Sequence, residues 1–284
     1  MSNEVLFRLK MTKGIGNIGI LNIMKAAQTF DRDDFTEYEL AHYAGLNRTK
    51  NQFLNEWWQT DEEKLEEARK HQQFITFYDE EYSELLREIY NPPAILFYRG
   101  DLSLLKKPCL SVVGARDASL VGQQTVHHLI TPLIQDYVIV SGLADGIDGI
   151  AHKVALGNHG KTIGVIGNGL DISYPRHHGK LQEYMAKHQL VLSEYPNGTS
   201  PAKHHFPERN RIIAGLSLGT VVVEAKLRSG SLITCERALE SGREVFAVPG
   251  DVLSGKSNGC HALIQEGAKC TFQTKDILDE LLKS

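Results

Sequence analysis

Short β-branched runs that alternate with helix-length segments are the feature that most constrains the fold of this chain. Five such runs stand at residues 111–113, 138–140, 163–166, 221–223 and 245–248. Each is followed by a loop containing glycine, serine or arginine. This alternation is typical of βαβ units. The sequence therefore predicts an α/β fold with a doubly wound, mostly parallel sheet of about seven strands from residue 107 onward.

The first part of the chain follows a different pattern. Residues 1–70 carry apolar side chains at helical spacings and predict a small helical domain. The segment that follows predicts further sheet elements: a strand at 74–78, a short helix at 83–90 and a strand at 94–98. The predicted domains are therefore residues 1–70, which are helical, and residues 71–284, which hold the sheet.

One motif in the helical part allows two interpretations. Residues 13–19, Lys-Gly-Ile-Gly-Asn-Ile-Gly, place a Gly-x-Gly turn between two predicted helices. This turn resembles a helix–hairpin–helix, whose exposed amides can contact a phosphate backbone. A tight turn inside a small helical bundle explains the same glycines without any ligand. We favour the tight turn, and the sequence does not assign a role to residues 1–70.

Composition narrows the cellular setting. The 284 residues are 42% hydrophobic, which is enough for a core. No apolar run approaches the roughly 20 residues that span a bilayer, and the first residues lack the basic and apolar regions of a signal peptide. The four cysteines are far apart and form no Cys-x-x-Cys pair. We therefore expect a cytoplasmic protein with reduced thiols and no membrane contact.

The net charge of −4 is unevenly distributed. Residues 1–105 hold 12 Lys/Arg and 18 Asp/Glu, whereas residues 106–284 hold 19 and 17. The near-neutral second part permits a local basic groove, but the chain as a whole does not have a uniformly basic surface.

The loops lack the signatures of common nucleotide-binding enzymes. Residues 114–119, the first predicted βα turn, do not read Gly-x-Gly-x-x-Gly. Gly167-Asn168-Gly169 has the first two glycines, but Ile172 stands at the third position. A Walker A sequence is absent as well. We therefore expect no nucleotide cofactor.

Metal and nucleophilic catalysis are also disfavoured. The histidine pairs at 127–128, 177–178 and 204–205 have no Cys or His partner at ligand spacing. Neighbouring residues on a helix do not face one site, so surface histidines are the simpler interpretation. The serines of residues 229–231 have no evident His/Asp relay. The expectation is a protein without a metal site and without catalytic residues.

The carboxyl ends of the predicted strands instead carry groups suited to a polyanion. Ligands of such sheets lie at that edge, where glycines let backbone N–H groups approach phosphate and helix N-termini attract anions. Arginines and amides with a stacking ring among them are typical of single-stranded nucleic-acid binding. The candidate residues are Gly114, Arg116, Ser141, Gly142, Gly167, Gly169, Tyr174, Arg176, Asn210, Arg211, Ser229, Gly230 and Ser231. A structural pairing of Arg209 and Arg211 with Glu208 or Glu224 stays open from the residues alone.

Taken in order, these loops resemble the DNA-processing protein A (DprA/Smf) family. The motifs that carry the resemblance stand at residues 113–116, 141–148, 167–171 with Tyr174-Pro175, 193–196, 206–216, 223–225, 229–234, 247–250 and 259–264. They span roughly residues 74–270. Ala115, His178 and His261 depart from the residues that the family usually has at these positions.

The resemblance implies single-stranded DNA binding without bond-making chemistry. It implies an extended Rossmann-like domain, preceded here by a helical start similar to a SAM-like (sterile alpha motif-like) domain. Arg116, Asn210, Arg211 and the 229–231 turn would hold the DNA backbone, with Tyr174 and Arg176 beside the same groove. The expected partners are the RecA recombinase, loaded onto incoming strands in natural transformation, and single-strand-binding protein, which the family helps to displace. Homodimers would meet at the helix of His261, Leu263 and Ile264.

The alternative from another class is a nucleotide-binding or nucleoside-monophosphate-cleaving enzyme of Rossmann-like type. Such enzymes carry a Gly-Gly-x-Gly-Thr-x-x-Glu loop at a comparable strand end. Residues 229–236, Ser-Gly-Ser-Leu-Ile-Thr-Cys-Glu, share only part of it, because the paired glycines and the Thr-to-Glu spacing are missing. The sequence therefore favours DNA binding.

Overall fold

The computed structural model of the protein describes residues 1–282. Five helices come first, α1 (Asn3–Met11), α2 (Asn17–Phe30), α3 (Glu37–Tyr43), α4 (Lys50–Trp58) and α5 (Glu62–Lys70). The strands are β1 (Gln73–Thr76), β2 (Ile95–Gly100), β3 (Cys109–Gly114), β4 (Val138–Ser141), β5 (Thr162–Ile166), β6 (Leu190–Ser193), β7 (Gly219–Val223), β8 (Glu244–Ala247) and β9 (Lys269–Cys270). The remaining helices are α6 (Glu84–Arg87), α7 (Leu120–Ile130), α8 (Ile147–Gly157), α9 (Gly179–His188), α10 (His205–Gly215), α11 (Gly230–Glu240), α12 (Asn258–Gln265) and α13 (Thr274–Leu281).

Within residues 1–282, the strands form one nine-stranded sheet in the order β1-β2-β6-β5-β4-β3-β7-β8-β9. From β6 to β9 all neighbours are parallel, whereas β2 runs antiparallel to both β1 and β6. The chain moves outward from β3 in one direction through β4 and later returns to place β7 on its other side. The carboxyl end of β3 is therefore the topological switch point, where ligands of such sheets bind. The predicted Rossmann-like, mostly parallel sheet is confirmed.

Helices cover both faces of the sheet because strand residues alternate in direction. Leu110 and Val112 of β3 pack on the face covered by α7, α8 and α13. Val113 lies on the opposite face, in a core cluster that includes residues of α10, α11 and α12. Side chains of the central strands are buried on both faces, which explains why these strands are apolar runs without polar alternation.

The N-terminal helices pack directly against the antiparallel edge of the sheet. The ring of Phe7 lies 5.7 Å from that of Phe74 and 6.2 Å from that of Phe97, measured between centroids. One hydrophobic cluster thus includes residues from α1–α4 and from the sheet. Although α5 ends at Lys70 and β1 begins at Gln73, the division into two domains and the SAM-like character of residues 1–70 stay predictions.

The Gly-x-Gly turn between α1 and α2 serves the packing of these helices. Gly14 has a φ of +90°, and a Cβ there would lie 2.8 Å from the backbone nitrogen of Phe53. Asn17 donates to the backbone oxygen of Pro92 at 2.8 Å and accepts from the amide of Ala94 at 2.7 Å. The turn therefore anchors α2 to the sheet, in agreement with the tight-turn interpretation. None of the helices within residues 1–282 has the length and apolar character that crossing a membrane requires.

Candidate nucleic-acid interface

A groove of about 720 Å³ opens at the carboxyl ends of β3 and β7. The loop after β3 supplies Gly114 and Arg116, and the loop between β7 and α11 supplies residues 226–231. Tyr174 reaches the groove from the segment after β5, and Phe206 and Asn210 reach it from α10. Segments far apart in sequence thus meet at the switch point of the sheet.

Three side chains form a cation–ring–ring ladder along this groove. The guanidinium carbon of Arg116 lies 5.8 Å from the centroid of the Phe206 ring, within cation–π range. The Phe206 and Tyr174 rings are 5.5 Å apart between centroids and tilted by 33°. Tyr174 is 44% exposed, so part of its ring faces solvent. Such a ladder is suited to stacking an unpaired base beside a positive charge.

Positive charge dominates the groove although the whole chain is acidic. Lys226 pairs with Asp117 at 2.9 Å, which leaves the other exposed cations of the lining uncompensated. These are Arg116, Lys203 and Arg228, and none of them forms an ion pair with another residue of the described chain. A concave surface with unpaired cations attracts phosphate groups. This is the local basic groove that the charge distribution permits.

The start of α11 adds backbone donors to the same groove. Ser229 caps the helix, and its Oγ lies 3.4 Å from the amide of Ser231 and 2.8 Å from the Ser231 hydroxyl. A Cβ on Gly230 would meet nothing within 4 Å, so the backbone there is open to an approaching ligand. Because a helix N-terminus carries partial positive charge, this turn is suited to phosphate.

A buried arginine supports the groove from below. Arg209 donates to the carbonyl oxygen of Gly142 at 2.8 Å and to that of Val165, which ties together the ends of β4 and β5. Burial lowers the pKa of Arg209 to about 10, and the charge of Asp148 partly offsets this effect. Burial likewise raises the pKa of Asp148, against the influence of Arg209. The hydrogen bonds of Arg209, together with its electrostatic attraction to Asp148, fix the loops on which the groove is built.

Three predicted site residues, Ser141, Gly142 and Gly114, serve the packing of the backbone at the strand ends that form the edge of the groove. Ser141 donates from its hydroxyl to the carbonyl oxygen of Val112 at 2.6 Å and is fully buried. The amide of Gly142 donates to Asp148 at 3.1 Å, and a Cβ there would lie 2.5 Å from the Arg209 guanidinium. A Cβ on Gly114 would lie 1.9 Å from the carbonyl oxygen of Val223. Ser141 and Gly142 lie outside the lining of the groove, whereas Gly114 lines it.

Gly167 and Gly169 likewise serve packing next to the groove. A Cβ on Gly167 would lie 3.3 Å from the Phe206 ring, so the glycine lets that ring lie close. A Cβ on Gly169 would lie 2.7 Å from the carbonyl oxygen of Pro196. Neither residue lines the groove.

Asn210 connects the buried Arg209 to the turn before α11 at the edge of the groove. Its amide nitrogen donates to the carbonyl oxygen of Gly230 at 3.2 Å, and its oxygen accepts from Nε of Arg209 at 3.2 Å. The side chain is 8% exposed. Asn210 thus lines the groove but uses its amide to position the turn before α11.

Two predicted arginines lie elsewhere. Arg211 lines a different cavity, between α10 and the N-terminal helices, and its Nη2 donates to both carboxylate oxygens of Glu194 at 2.8 Å. Arg176 is exposed and lines a neighbouring cavity with Arg99 and Lys180. The structure therefore does not bring Arg176 or Arg211 together with Arg116, and for Arg211 it favours the structural pairing, with Glu194 as the partner.

Helical geometry explains the position of Arg211. Successive helix residues are about 100° apart, which places Asn210 near Phe206 and Arg211 about 140° from Phe206 around α10. The sequence analysis did not assign a helix to residues 206–216, so this argument became possible only with α10 of the structure. No local pattern pointed to Lys203 or Arg228, because their role depends on how the loops meet.

The predicted dimer helix, α12, is partly committed to the core of its own chain. Leu263 is 7% exposed and packs in the cluster under β8, with Ile264 half-buried beside it. The Nε2 atom of His261 lies 3.1 Å from the carbonyl oxygen of Gly250. Apolar side chains in the segments after β8 and β9 are more exposed, with Leu253 at 93% and Phe272 at 64%.

Comparison with known proteins agrees with this architecture. The family model for DNA recombination-mediator protein A matches residues 73–282. The chain is 47% identical to the DNA processing protein DprA of Streptococcus pneumoniae over 284 residues, which cover 99% of this chain and 98% of that protein. It is 48% identical to DprA of Bacillus subtilis over 209 residues, covering 73% of this chain and 70% of that protein.

Solved structures show the same similarity. The X-ray structure of DprA from S. pneumoniae superposes with a TM-score of 0.95 at 46% identity, covering 99% of this chain and 98% of that one. DNA processing protein A from Helicobacter pylori, solved in a study of its single-stranded DNA binding mode, gives a TM-score of 0.66 at 31% identity, covering 75% and 97%. The fold and groove thus define a Rossmann-like protein of the DNA recombination-mediator class. The chain belongs to the DNA-processing protein A (DprA/Smf) family.

Proposed function

We propose that this protein binds single-stranded DNA in the groove at the carboxyl ends of β3 and β7. The observation that carries the proposal is the Arg116–Phe206–Tyr174 ladder next to the unpaired cations Lys203 and Arg228. Cations neutralise phosphate, and the exposed ring stacks on a base, so the groove serves a strand whose bases are unpaired. The single-stranded DNA binding of the H. pylori relative supports this proposal.

The binding needs little sequence preference. Phosphate contacts position a nucleic acid without reading its bases, and an aromatic ring stacks on any base. Polar groups that lie deeper, such as Asn210 and Arg209, are already bonded within the protein. The expected result is affinity that falls steeply with salt and varies little with base composition.

In the cell, we infer a role as a cytoplasmic recombination mediator. The bound strand would be transferred to RecA, with displacement of single-strand-binding protein, as DNA enters during natural transformation. No bond-making step is required of the protein. Faster RecA filament formation on protein-coated single strands, lost in a DNA-binding variant, is the result that this role requires.

We also propose a homodimer that uses the region of α12. His261 and Ile264 are half-buried, and the exposed Leu253 and Phe272 supply apolar surface in the neighbouring segments. Two grooves on one assembly would raise the effective concentration of a long strand at the second groove. Sedimentation velocity on the wild type and on Ile264→Asp tests the state of assembly.

The alternative class, a nucleotide-cleaving enzyme, rests on the serines at the start of α11. Their hydroxyls are hydrogen-bonded to each other at 2.8 Å, and Asp148, which lines the same groove, is buried under the electrostatic influence of Arg209. Release of base from nucleoside monophosphates by the purified protein would favour that alternative. No release is expected.

The decisive experiment measures fluorescence anisotropy of labelled oligo-dT, single-stranded and duplex, over a salt series. Arg116→Ala is compared with Arg237→Ala, which removes an exposed arginine from the far end of α11. We expect Arg116→Ala to weaken single-strand binding by about tenfold and to reduce the salt slope by about 0.7, with Arg237→Ala unchanged. Equal binding by both variants would refute the site.

A further inference from the structure

A second concave site lies beside the groove, along the start of α8. It has a volume of about 330 Å³ and shares Arg116 and Asp117 with the groove. Asp145, from the loop between β4 and α8, faces it together with His177 and His178, from the turn before α9. One ligand atom from each of these three side chains lies within 4.8 Å of the others.

We propose that Asp145, His177 and His178 bind one divalent first-row transition metal ion of the Zn²⁺ type. Imidazole nitrogens with a carboxylate oxygen are a donor set that such ions prefer, whereas Ca²⁺ and Mg²⁺ prefer oxygen ligands throughout. His177 Nε2 and Asp145 Oδ1 are already 2.7 Å apart, so the ion would replace the proton between them. Three protein ligands leave a fourth position open to water.

The orientation of His178 supports this assignment. Its Nδ1 lies 2.9 Å from the carbonyl oxygen of Leu143, which only accepts, so Nδ1 carries the proton. The lone pair is therefore on Nε2, the nitrogen available to a metal. In metal sites, the ring nitrogen of a histidine that does not bind the ion usually donates a hydrogen bond to a carbonyl or carboxylate oxygen, as Nδ1 of His178 does here. His178 is 8% exposed, so its ring is held in place.

Gly149 fixes the position of this ring. A Cβ at residue 149 would lie 2.6 Å from Cε1 of His178 and 3.1 Å from Nε2, so the imidazole packs directly on the backbone of α8. His177 and Asp145, by contrast, are exposed by 65% and 44%. They can move by the distance needed to bring donor atoms to about 3.4 Å from one another, as in a tetrahedral zinc site. The site therefore combines one fixed ligand, His178, with two mobile ones, His177 and Asp145, an arrangement that suits an ion that can bind and leave.

This site revises the expectation that the histidine pairs bind no metal. That expectation assumed an α-helix, in which neighbouring side chains diverge. The structure places His177 and His178 in a 3-10 turn, Arg176–His178, with ring centroids 4.6 Å apart. The third ligand is an aspartate from a distant strand end, so ligand spacing in the sequence gave no indication of the site.

The test titrates the chelator-treated protein with Zn²⁺ against a chromophoric chelator, and with Co²⁺ by visible absorption. His177→Ala and Asp145→Asn are compared with His188→Ala, which removes an exposed histidine from the end of α9. We expect one equivalent of Zn²⁺, bound at least about tenfold more weakly by the two site variants, and His188→Ala within about twofold of wild type.

The site variants alter exposed side chains, so the fold is retained, and unchanged far-UV circular dichroism checks this. If the wild type binds Zn²⁺ no more tightly than His177→Ala does, His177 and Asp145 form only an ion pair, and the proposal is overturned. If His188→Ala loses as much Zn²⁺ affinity as the two site variants, the proposal is overturned as well, because the ion would then bind unspecifically to surface histidines. No DNA is present, so the result is independent of the proposed DNA binding.

Discussion

Replacement of Tyr174 by alanine tests the stacking part of the proposed groove. The Tyr174 ring is 44% exposed and lies 5.5 Å from the Phe206 ring. Stacking of a base on an aromatic ring contributes about 1–3 kcal/mol. Because Phe206 stays in place and becomes more accessible, we expect the lower part of that range, about 1–2 kcal/mol. The dissociation constant for oligo-dT should then rise by about 5- to 30-fold.

The dependence of DNA affinity on salt distinguishes the loss of base stacking in Tyr174→Ala from the loss of a positive charge. A tyrosine ring releases no counterion, so the slope of log affinity against log salt should stay that of the wild type in Tyr174→Ala. Tyr174→Phe is the matched control, because the tyrosine hydroxyl makes no hydrogen bond with residues of the described chain. Wild-type affinity in Tyr174→Ala, or an equal loss in Tyr174→Phe, would refute the stacking argument.

Two further predictions concern stability. Arg211→Ala should lower the free energy of unfolding by about 3 kcal/mol, because it leaves the buried Glu194 carboxylate unpaired, and single-strand affinity should hardly change; urea unfolding and anisotropy measure both. A stable variant that loses DNA binding would instead assign Arg211 to the DNA. Burial lowers the pKa of His152 to about 3, so its contribution to stability is complete above pH 6.5 and is lost as pH falls towards 3. His152→Asn should therefore flatten the decline in stability between pH 6.5 and about 4 by about 3 kcal/mol, and an unchanged pH profile would contradict the pKa of His152.

The sequence by itself determined the strands, the helices and the edge of the sheet that carries the site. Short apolar runs indicate strands that are buried on both faces, amphipathic segments with a period of 3.6 residues indicate helices, and both patterns are local. Once the strands are parallel, their carboxyl ends share an edge, so the loops at residues 114–116 and 229–231 were expected to meet. The structure places both in one groove.

Only the tertiary structure decided which partner each polar side chain has. Arg209 and Arg211 stand two residues apart on α10, yet one is buried beneath the rim and the other pairs with Glu194 on another side of the helix. Asp145 and His177 meet although 31 residues separate them in the chain. These pairings depend on how helices and loops pack, and buried groups take whichever partner the packing brings close. That choice is set by long-range contacts, which no local pattern encodes.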